Sequence, residues 1–78
     1  MAIGRLTTHA KQRMRKRRVS EREVDEVLMK PDSAQYDPDE DSFRLERKLS
    51  QGTLKVWVVS PWPPVGRIVV KSVAWKGR

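Results

Sequence analysis

Pro31 divides the chain into two parts that have different hydrophobic periods. Before it, apolar side chains recur every three or four residues, which is the spacing of an α-helix that buries one face. After it, apolar and polar side chains alternate over short runs, as in a half-buried strand. A proline inside a helix lacks an N–H donor and clashes with the preceding turn, so the helical part ends here. The predicted order is therefore helices first and strands second.

The first predicted helix spans Thr8–Arg18, with Thr8 as its N-cap. Its apolar row comprises Leu6, Ala10 and Met14. Arg17 projects into the arc of this row on the helical wheel, so its side chain lies at the margin of the core. A long arginine in that position must pair with a partner or turn its guanidinium group into a groove. We therefore expect a defined partner for Arg17.

The second predicted helix begins at Ser20 and ends before Pro31. Ser20 and Glu23 have the spacing of a capping box, and Val19 and Val24 have that of the accompanying hydrophobic staple. The acidic side chains of the first turn suit the positive end of the helix dipole. Capping and solvation explain them, so we assign them no catalytic role.

Four strands are predicted after Pro31: Ser33–Asp37, Ser42–Leu49, Thr53–Ser60 and Arg67–Trp75. Alternation predicts three shared faces, one in each of the last three strands: Phe43, Leu45, Arg47 and Leu49; Leu54, Val56 and Val58, with Trp57 on the opposite face; and Ile68, Val70, Ser72 and Ala74. We predict a single α+β domain over residues 1–78, in which two N-terminal helices pack on one face of a four-stranded antiparallel sheet in the order ααββββ. The other face of the sheet would be partly open to a substrate or partner.

The positive charge is concentrated in two separate blocks. Residues 1–18 carry seven basic and no acidic side chains, residues 19–41 carry nine acidic and two basic ones, and residues 42–78 carry eight basic and one acidic. The net charge is +7. We expect the two basic blocks to converge on one anion-binding face, with the acidic block elsewhere. Basic side chains scattered for solubility are the alternative.

The composition excludes several classes of protein. The chain has no cysteine and one histidine, so we expect neither a disulfide nor a structural zinc site. No apolar run approaches the roughly 20 residues that span a bilayer, and the N-terminus lacks the apolar core of a signal peptide. We expect a cytoplasmic protein that needs no cofactor and no metal.

The remaining chemistry lies in basic side chains, one histidine and a few aromatic rings. Arginine or lysine can stabilise a pentacovalent phosphorane, and a general base can take the proton from a ribose 2′-hydroxyl. His9 is the candidate for proton transfer, although a lone histidine is more often structural. Trp57 and Trp75 are expected to pack, whereas Trp62, in the proline-rich segment 61–66, is the candidate for a partner contact.

The stretch from His9 to Ser20 resembles the H-A-x-x-R-M-x-x-R-x-[VI]-[ST] opening of a bacterial family of domains of unknown function. The resemblance extends from Leu6 to Trp75. That family is similar in layout to the RelE and BrnT toxins, which are small basic ribonucleases held inactive by an antitoxin. The resemblance implies a RelE-like fold, RNA cleavage with His9, Arg13 and Arg17 at the motif positions, and an antitoxin partner.

Two hypotheses follow. The first is a metal-independent endoribonuclease whose target is RNA, free or as ribosome-associated mRNA. Its candidate catalytic residues are His9, Arg13, Arg47 and Lys71. Its candidate nucleic-acid-binding residues are Lys11, Arg15, Lys16, Arg17, Arg18, Arg44 and Trp62. The second hypothesis is a non-catalytic module that binds nucleic acid or protein, which explains the charge without a role for His9.

Overall fold

The computed structural model describes residues 2–59 and 61–77. Its elements, in chain order, are β1 (Arg5–Leu6), α1 (Thr8–Arg17), α2 (Glu21–Met29), β2 (Ser33–Asp37), β3 (Ser42–Leu49), β4 (Gly52–Val58) and β5 (Val69–Trp75). Strands β2 to β5 pair antiparallel with their neighbours. The short β1 pairs parallel with β5, so the sheet order is β1-β5-β4-β3-β2. The predicted α+β fold, with two N-terminal helices and four antiparallel strands, is confirmed.

The predicted boundaries agree closely with the observed ones. Ser60, the predicted end of the third strand, lies outside the described residues, as do Met1 and Arg78.

Among the described residues, no helix is long and apolar enough to cross a membrane.

The N-cap of α1 is Thr7, so the prediction that Thr8 caps this helix is wrong. Thr7 has an extended backbone, and its Oγ1 accepts a hydrogen bond from the Ala10 N–H at 3.0 Å. The same hydroxyl donates to the backbone carbonyl of Lys71 at 3.2 Å. One residue therefore begins the helix and ties it to β5. At the other end, Arg18 takes the left-handed conformation that commonly ends a helix.

The capping box predicted for α2 is present. Ser20 Oγ accepts the Glu23 N–H at 3.1 Å, and Glu23 Oε1 accepts the Ser20 N–H at 3.0 Å. These two bonds satisfy donors that a helix start otherwise leaves free. The sequence therefore fixes the start of α2 locally, independently of what the helix packs against.

The core lies between the sheet and the two helices. Helix α1 packs against β5, and α2 packs against β3 and β4. The helices contribute the buried side chains Ala10, Met14, Val24, Val27 and Leu28. The sheet contributes Leu45, Leu54, Val56, Val58, Val70, Val73 and Trp75. In β4 the buried and less buried side chains alternate as predicted.

A bulge in β5 interrupts the alternation expected there. Val58 pairs with Val70 and Trp57 pairs with Ser72, so Lys71 is an extra residue in the ladder. An extra residue moves every later side chain to the other face. Beyond it, Val73 and Trp75 are buried in the core and Ser72 is opposite Trp57. The predicted common face of Ile68, Val70, Ser72 and Ala74 is therefore wrong beyond Lys71.

The two adjacent threonines before α1 allow a direct test of the capping assignment. We expect Thr7→Ala to lower the free energy of unfolding by about 1 kcal/mol, because the Ala10 N–H loses its acceptor. In a domain of this size that is a fall of about 4 to 8 °C in the midpoint of thermal unfolding. Circular dichroism at 222 nm measures it.

Thr8→Ala is the matched control for this test. Thr8 is exposed and is the first residue inside the helix, where alanine is well tolerated. We expect its midpoint to stay close to that of the parent protein. A larger loss in Thr8→Ala than in Thr7→Ala would contradict the assignment of Thr7 as the cap.

Candidate functional site

The position of α1 is set by the outer edge of β5. The short β1 covers only the start of this edge, where Arg5 pairs with Val69 and Leu6 pairs with Val70. Beyond it, two β5 carbonyl groups accept hydrogen bonds from side chains of α1 and its cap. The Lys71 carbonyl bonds to Thr7, and the Val73 carbonyl accepts from Arg17 Nη1 at 2.6 Å. Helix α1 therefore takes the place of a longer edge strand.

Arg17 has the defined partner that its position on the helical wheel predicted. Its side chain is half-buried and donates to β5, and its own carbonyl accepts from the Trp75 Nε1 at 2.9 Å. Both ends of the residue thus bind the same strand. These contacts fix the end of α1. They also hold His9, Arg13 and Arg17, which follow one another at intervals of one helical turn, against the sheet.

A cleft of about 270 Å³ lies between this row and the open face of the sheet. We call it the His9 cleft. It is lined by His9, Arg13, Arg17, Glu40, Trp57, Ser72 and Ala74. These residues come from α1, the turn between β2 and β3, β4 and β5. The single histidine of the chain thus shares one cleft with two arginines and a carboxylate.

His9 and Arg13 contact each other inside the cleft. Arg13 Nε donates to His9 Nε2 at 3.3 Å. In this arrangement the Nε2 lone pair is directed at the Arg13 guanidinium group. His9 is exposed and Arg13 is half-buried. An anion that attracted the Arg13 guanidinium would free the Nε2 lone pair.

Lys71 does not line the cleft but lies next to it, because it pairs with the lining residue Glu40. Its ammonium group donates to the backbone carbonyl of Glu40 and lies 4.0 Å from the Glu40 Oε1. The two side chains are 36% and 47% exposed. An ion pair this exposed contributes little stability. It does place a cation beside the carboxylate that lines the cleft.

Trp57 lies on the open face of the sheet, which differs from the expected packing role. Its Nε1 donates to Asp37 Oδ2 at 3.0 Å, and the Lys55 ammonium lies 5.5 Å from its ring centroid. The bond from Trp57 is the main reason that the pKa of Asp37 lies below its ordinary value, and the Arg44 charge contributes. Asp37 therefore stays ionised and fixes the indole at the cleft.

The charge distribution differs from the predicted convergence. Part of the acidic block lies at the cleft itself, because Glu40 lines it. Three cations of the second basic block form ion pairs: Arg44 with Asp37 and Glu46, Lys71 with Glu40, and Lys76 with Glu46. In contrast, Lys11, Arg15, Lys16 and Arg18 form no ion pair within the described residues. Helix α1 and its C-cap thus carry four closely spaced cations without an ion pair in the described part of the chain.

Besides Lys71 and the exposed cations Lys11, Arg15, Lys16 and Arg18, three further predicted site residues do not line the cleft. Arg47 is on the core face of β3, as its phase predicted, and its Nη1 donates to the Glu26 carbonyl at 2.8 Å. It supports the end of α2. Trp62 packs against the core at its margin. Arg44 pairs in register with Trp57, but its guanidinium group faces Glu46 at 3.1 Å and Asp37 at 3.7 Å.

Four residues of the cleft were not among the predicted site residues: Glu40, Trp57, Ser72 and Ala74. A signal for Trp57 was available, since strand alternation already placed it opposite Leu54 and Val56. Ser72 could not be found that way, because the bulge reverses the phase before it. Glu40 lies in a turn, and the sequence does not show which side of the sheet that turn approaches.

The set of side chains in the cleft suits proton transfer and phosphate binding. Within the described residues there is no group of three or more His, Cys, Asp or Glu side chains that could hold a metal ion. Histidine and glutamate can exchange protons with a substrate, and arginine and lysine can neutralise an anion. The indole of Trp57 offers an apolar surface next to them.

Comparison with known proteins gives a family for the chain. Residues 6–73 match the model of the family described as Domain of unknown function (DUF4258). A search of curated proteins returned no match, and neither did a search of solved structures. The family match covers α1, α2, β2, β3 and β4 and most of β5. The chain therefore belongs to the DUF4258 family.

Proposed function

We propose that this protein is a RelE/BrnT-like toxin that binds RNA along α1 and cleaves it in the His9 cleft. The main support for this proposal is that the single histidine, two arginines and a glutamate line the same cleft. The RelE-like order of two helices and four antiparallel strands supports it. An antitoxin protein that covers α1 would be its natural regulator.

The phosphate backbone of RNA would bind to the free cations of α1. Lys11 and Arg15 are four residues apart, so they lie on neighbouring positions of one helix face, and Arg18 follows as the C-cap of the same helix. They form no ion pair within the part of the chain that is described. A phosphate therefore displaces no existing protein carboxylate from them, which favours binding.

Cleavage would proceed by attack of a ribose 2′-hydroxyl on the adjacent phosphorus. His9 Nε2 takes the hydroxyl proton, the 2′-oxygen bonds to phosphorus, and the bond to the 5′-oxygen breaks. The Lys71 ammonium group gives a proton to the departing 5′-oxygen. The products are a 2′,3′-cyclic phosphate and a 5′-hydroxyl. Arg13 and Arg17 stabilise the extra negative charge of the phosphorane.

The core position of Arg47 gives it no part in this mechanism. Arg17 already donates one hydrogen bond to β5, so its remaining donors are the ones available to phosphate. Trp57 offers a face on which a base next to the cut could stack. Glu40 holds Lys71 beside the cleft.

The first test is cleavage by a His9→Ala variant. We expect the parent protein to cleave total RNA, or mRNA on programmed ribosomes, in the presence of EDTA. Loss of the base should slow cleavage by about 100-fold or more. The measurement is the rate of product formation on a sequencing gel, with the cyclic phosphate end confirmed by mass spectrometry.

Thr8→Ala is the matched control here, because Thr8 is adjacent to His9 and does not line the cleft. Its cleavage rate should equal that of the parent. Equal rates in His9→Ala and the parent would remove His9 from the mechanism. If neither substrate is cleaved but RNA is bound in a salt-dependent way, the non-catalytic module is the correct hypothesis.

The second test separates binding from cleavage. We expect Lys11→Ala and Arg15→Ala each to weaken RNA binding and to lower the slope of log K against log salt by about 0.7, the value for one phosphate on a single strand. At saturating protein their single-turnover cleavage rate should be unchanged. Arg13→Ala should instead lower that rate, because Arg13 acts at the phosphorane.

Arg22→Ala serves as the control for charge alone. Arg22 is an exposed cation on α2 that pairs with Glu26 at 3.7 Å. Its removal changes the net charge by the same amount as the α1 variants. An equal effect of Arg22→Ala and Arg15→Ala on the salt slope would contradict a binding surface on α1.

A further inference from the structure

The outer edge of β2 has no neighbouring strand among the described residues. β2 ends the sheet on this side, and it pairs with β3 without a bulge from Ser33 to Asp37. At the other side of the sheet, β1 and α1 cover the edge of β5. The outer side of β2, with its backbone donors and acceptors, is therefore the larger uncovered edge of the described sheet.

The helical layer leaves the core-side face of β2 open. Pairing with Leu45 and Phe43 places Ala34 and Tyr36 on the same face as the core. Both are exposed, and Tyr36 is 52% accessible although its ring packs edge-on against Phe43 at 5.6 Å. Met29, the last residue of α2, is 70% exposed just before the turn into β2. This edge thus combines free backbone groups with apolar side chains.

Two of the usual protections against strand addition, lysine and proline, are absent from the strand itself. Natural edge strands carry lysine, proline or a bulge, or they are covered by another element. The residues Ser33–Asp37 include neither lysine nor proline. Tyr36 donates its hydroxyl to Asp41, and this bond is the main reason that the pKa of Tyr36 is raised, so the ring stays neutral.

The charges at the two ends of β2 select the partner. Asp32 precedes the strand, and Asp39 and Asp41 follow it. None of the three forms an ion pair within the described residues. A second copy of the chain, paired antiparallel through β2, would bring Asp39 and Asp41 of each copy towards Asp32 of the other. A segment with a basic end would instead be attracted to Asp39 and Asp41, whereas the exposed Lys30 lies close to Asp32 at the other end.

We propose that the outer edge of β2 binds an extended segment of a partner protein, which adds to the sheet as a further strand. The segment is apolar at alternate positions, where its side chains cover Ala34 and Tyr36, and it is basic at the end that lies beside Asp39 and Asp41. Main-chain hydrogen bonds to β2 supply most of the affinity. This site adjoins the turn that carries Glu40 of the His9 cleft, but the proposal does not depend on RNA cleavage.

The test uses a defined peptide, Lys-Lys-Val-Thr-Val-Thr-Val-Lys-Lys, with both ends blocked and a fluorescent label. Two further versions carry N-methyl groups on alternate residues, one along each edge of the extended peptide. If the peptide pairs with β2 through one of its edges, only the version that is N-methylated along that edge loses its hydrogen bonds. We expect that version to bind at least about tenfold more weakly and the other to bind about as well as the parent peptide.

Two controls locate the binding. In ¹H–¹⁵N spectra of the whole protein, the peptide should shift the amide signals of β2 and β3, and Tyr36→Ser should weaken the affinity measured by fluorescence anisotropy. A scrambled peptide of the same composition should bind at least about tenfold more weakly. Equal binding of all peptides, shifts confined to other elements, or no binding at millimolar peptide would overturn the proposal. So would self-association through β2 in sedimentation experiments, since it would identify a second copy as the occupant.

Discussion

The hydrogen bond from Arg17 to the Val73 carbonyl is the contact on which the arrangement of this small domain depends. The strand β1 is too short to cover the edge of β5, and buried carbonyl groups without partners destabilise a fold. Thr7 and Arg17, at the two ends of α1, supply the missing donors. Because both ends of the helix are fixed to one strand, the face of α1 that carries His9 and Arg13 has a defined position over the open side of the sheet.

The bulge at Lys71 determines which β5 side chains face the core and which face the cleft. It reverses the phase of β5, so that Val73 and Trp75 enter the core and Ser72 faces the cleft. It also directs the Lys71 side chain to Glu40, in the turn between β2 and β3. Bulges are frequent next to functional sites because they redirect side chains in this way. The cleft and the core are therefore consequences of the same inserted residue.

The fold determines which basic side chains of the domain lie close to a carboxylate. The two basic blocks have similar composition but different environments. Arg44, Lys71 and Lys76 lie on or beside the sheet, where acidic side chains from neighbouring strands and turns pair with them. Lys11, Arg15 and Lys16 of α1 form no ion pair within the described residues, whereas Arg13 and Arg17 share the His9 cleft with Glu40. A charge count along the sequence treats both blocks as equivalent, although three cations of the second block are paired with carboxylates.

The sequence by itself determined the order of elements, the capping box of α2 and the faces of β3 and β4. Each of these depends on neighbours within a few residues, so hydrophobic period, capping spacing and proline suffice. It also showed that Arg17 needs a partner, since a charged group at a core margin must be satisfied. The tertiary structure alone decided that the partner is Val73, that Thr7 caps α1, and that Glu40 and Trp57 join His9. Those outcomes depend on a one-residue bulge and on contacts between residues far apart in the chain, and no local pattern encodes either.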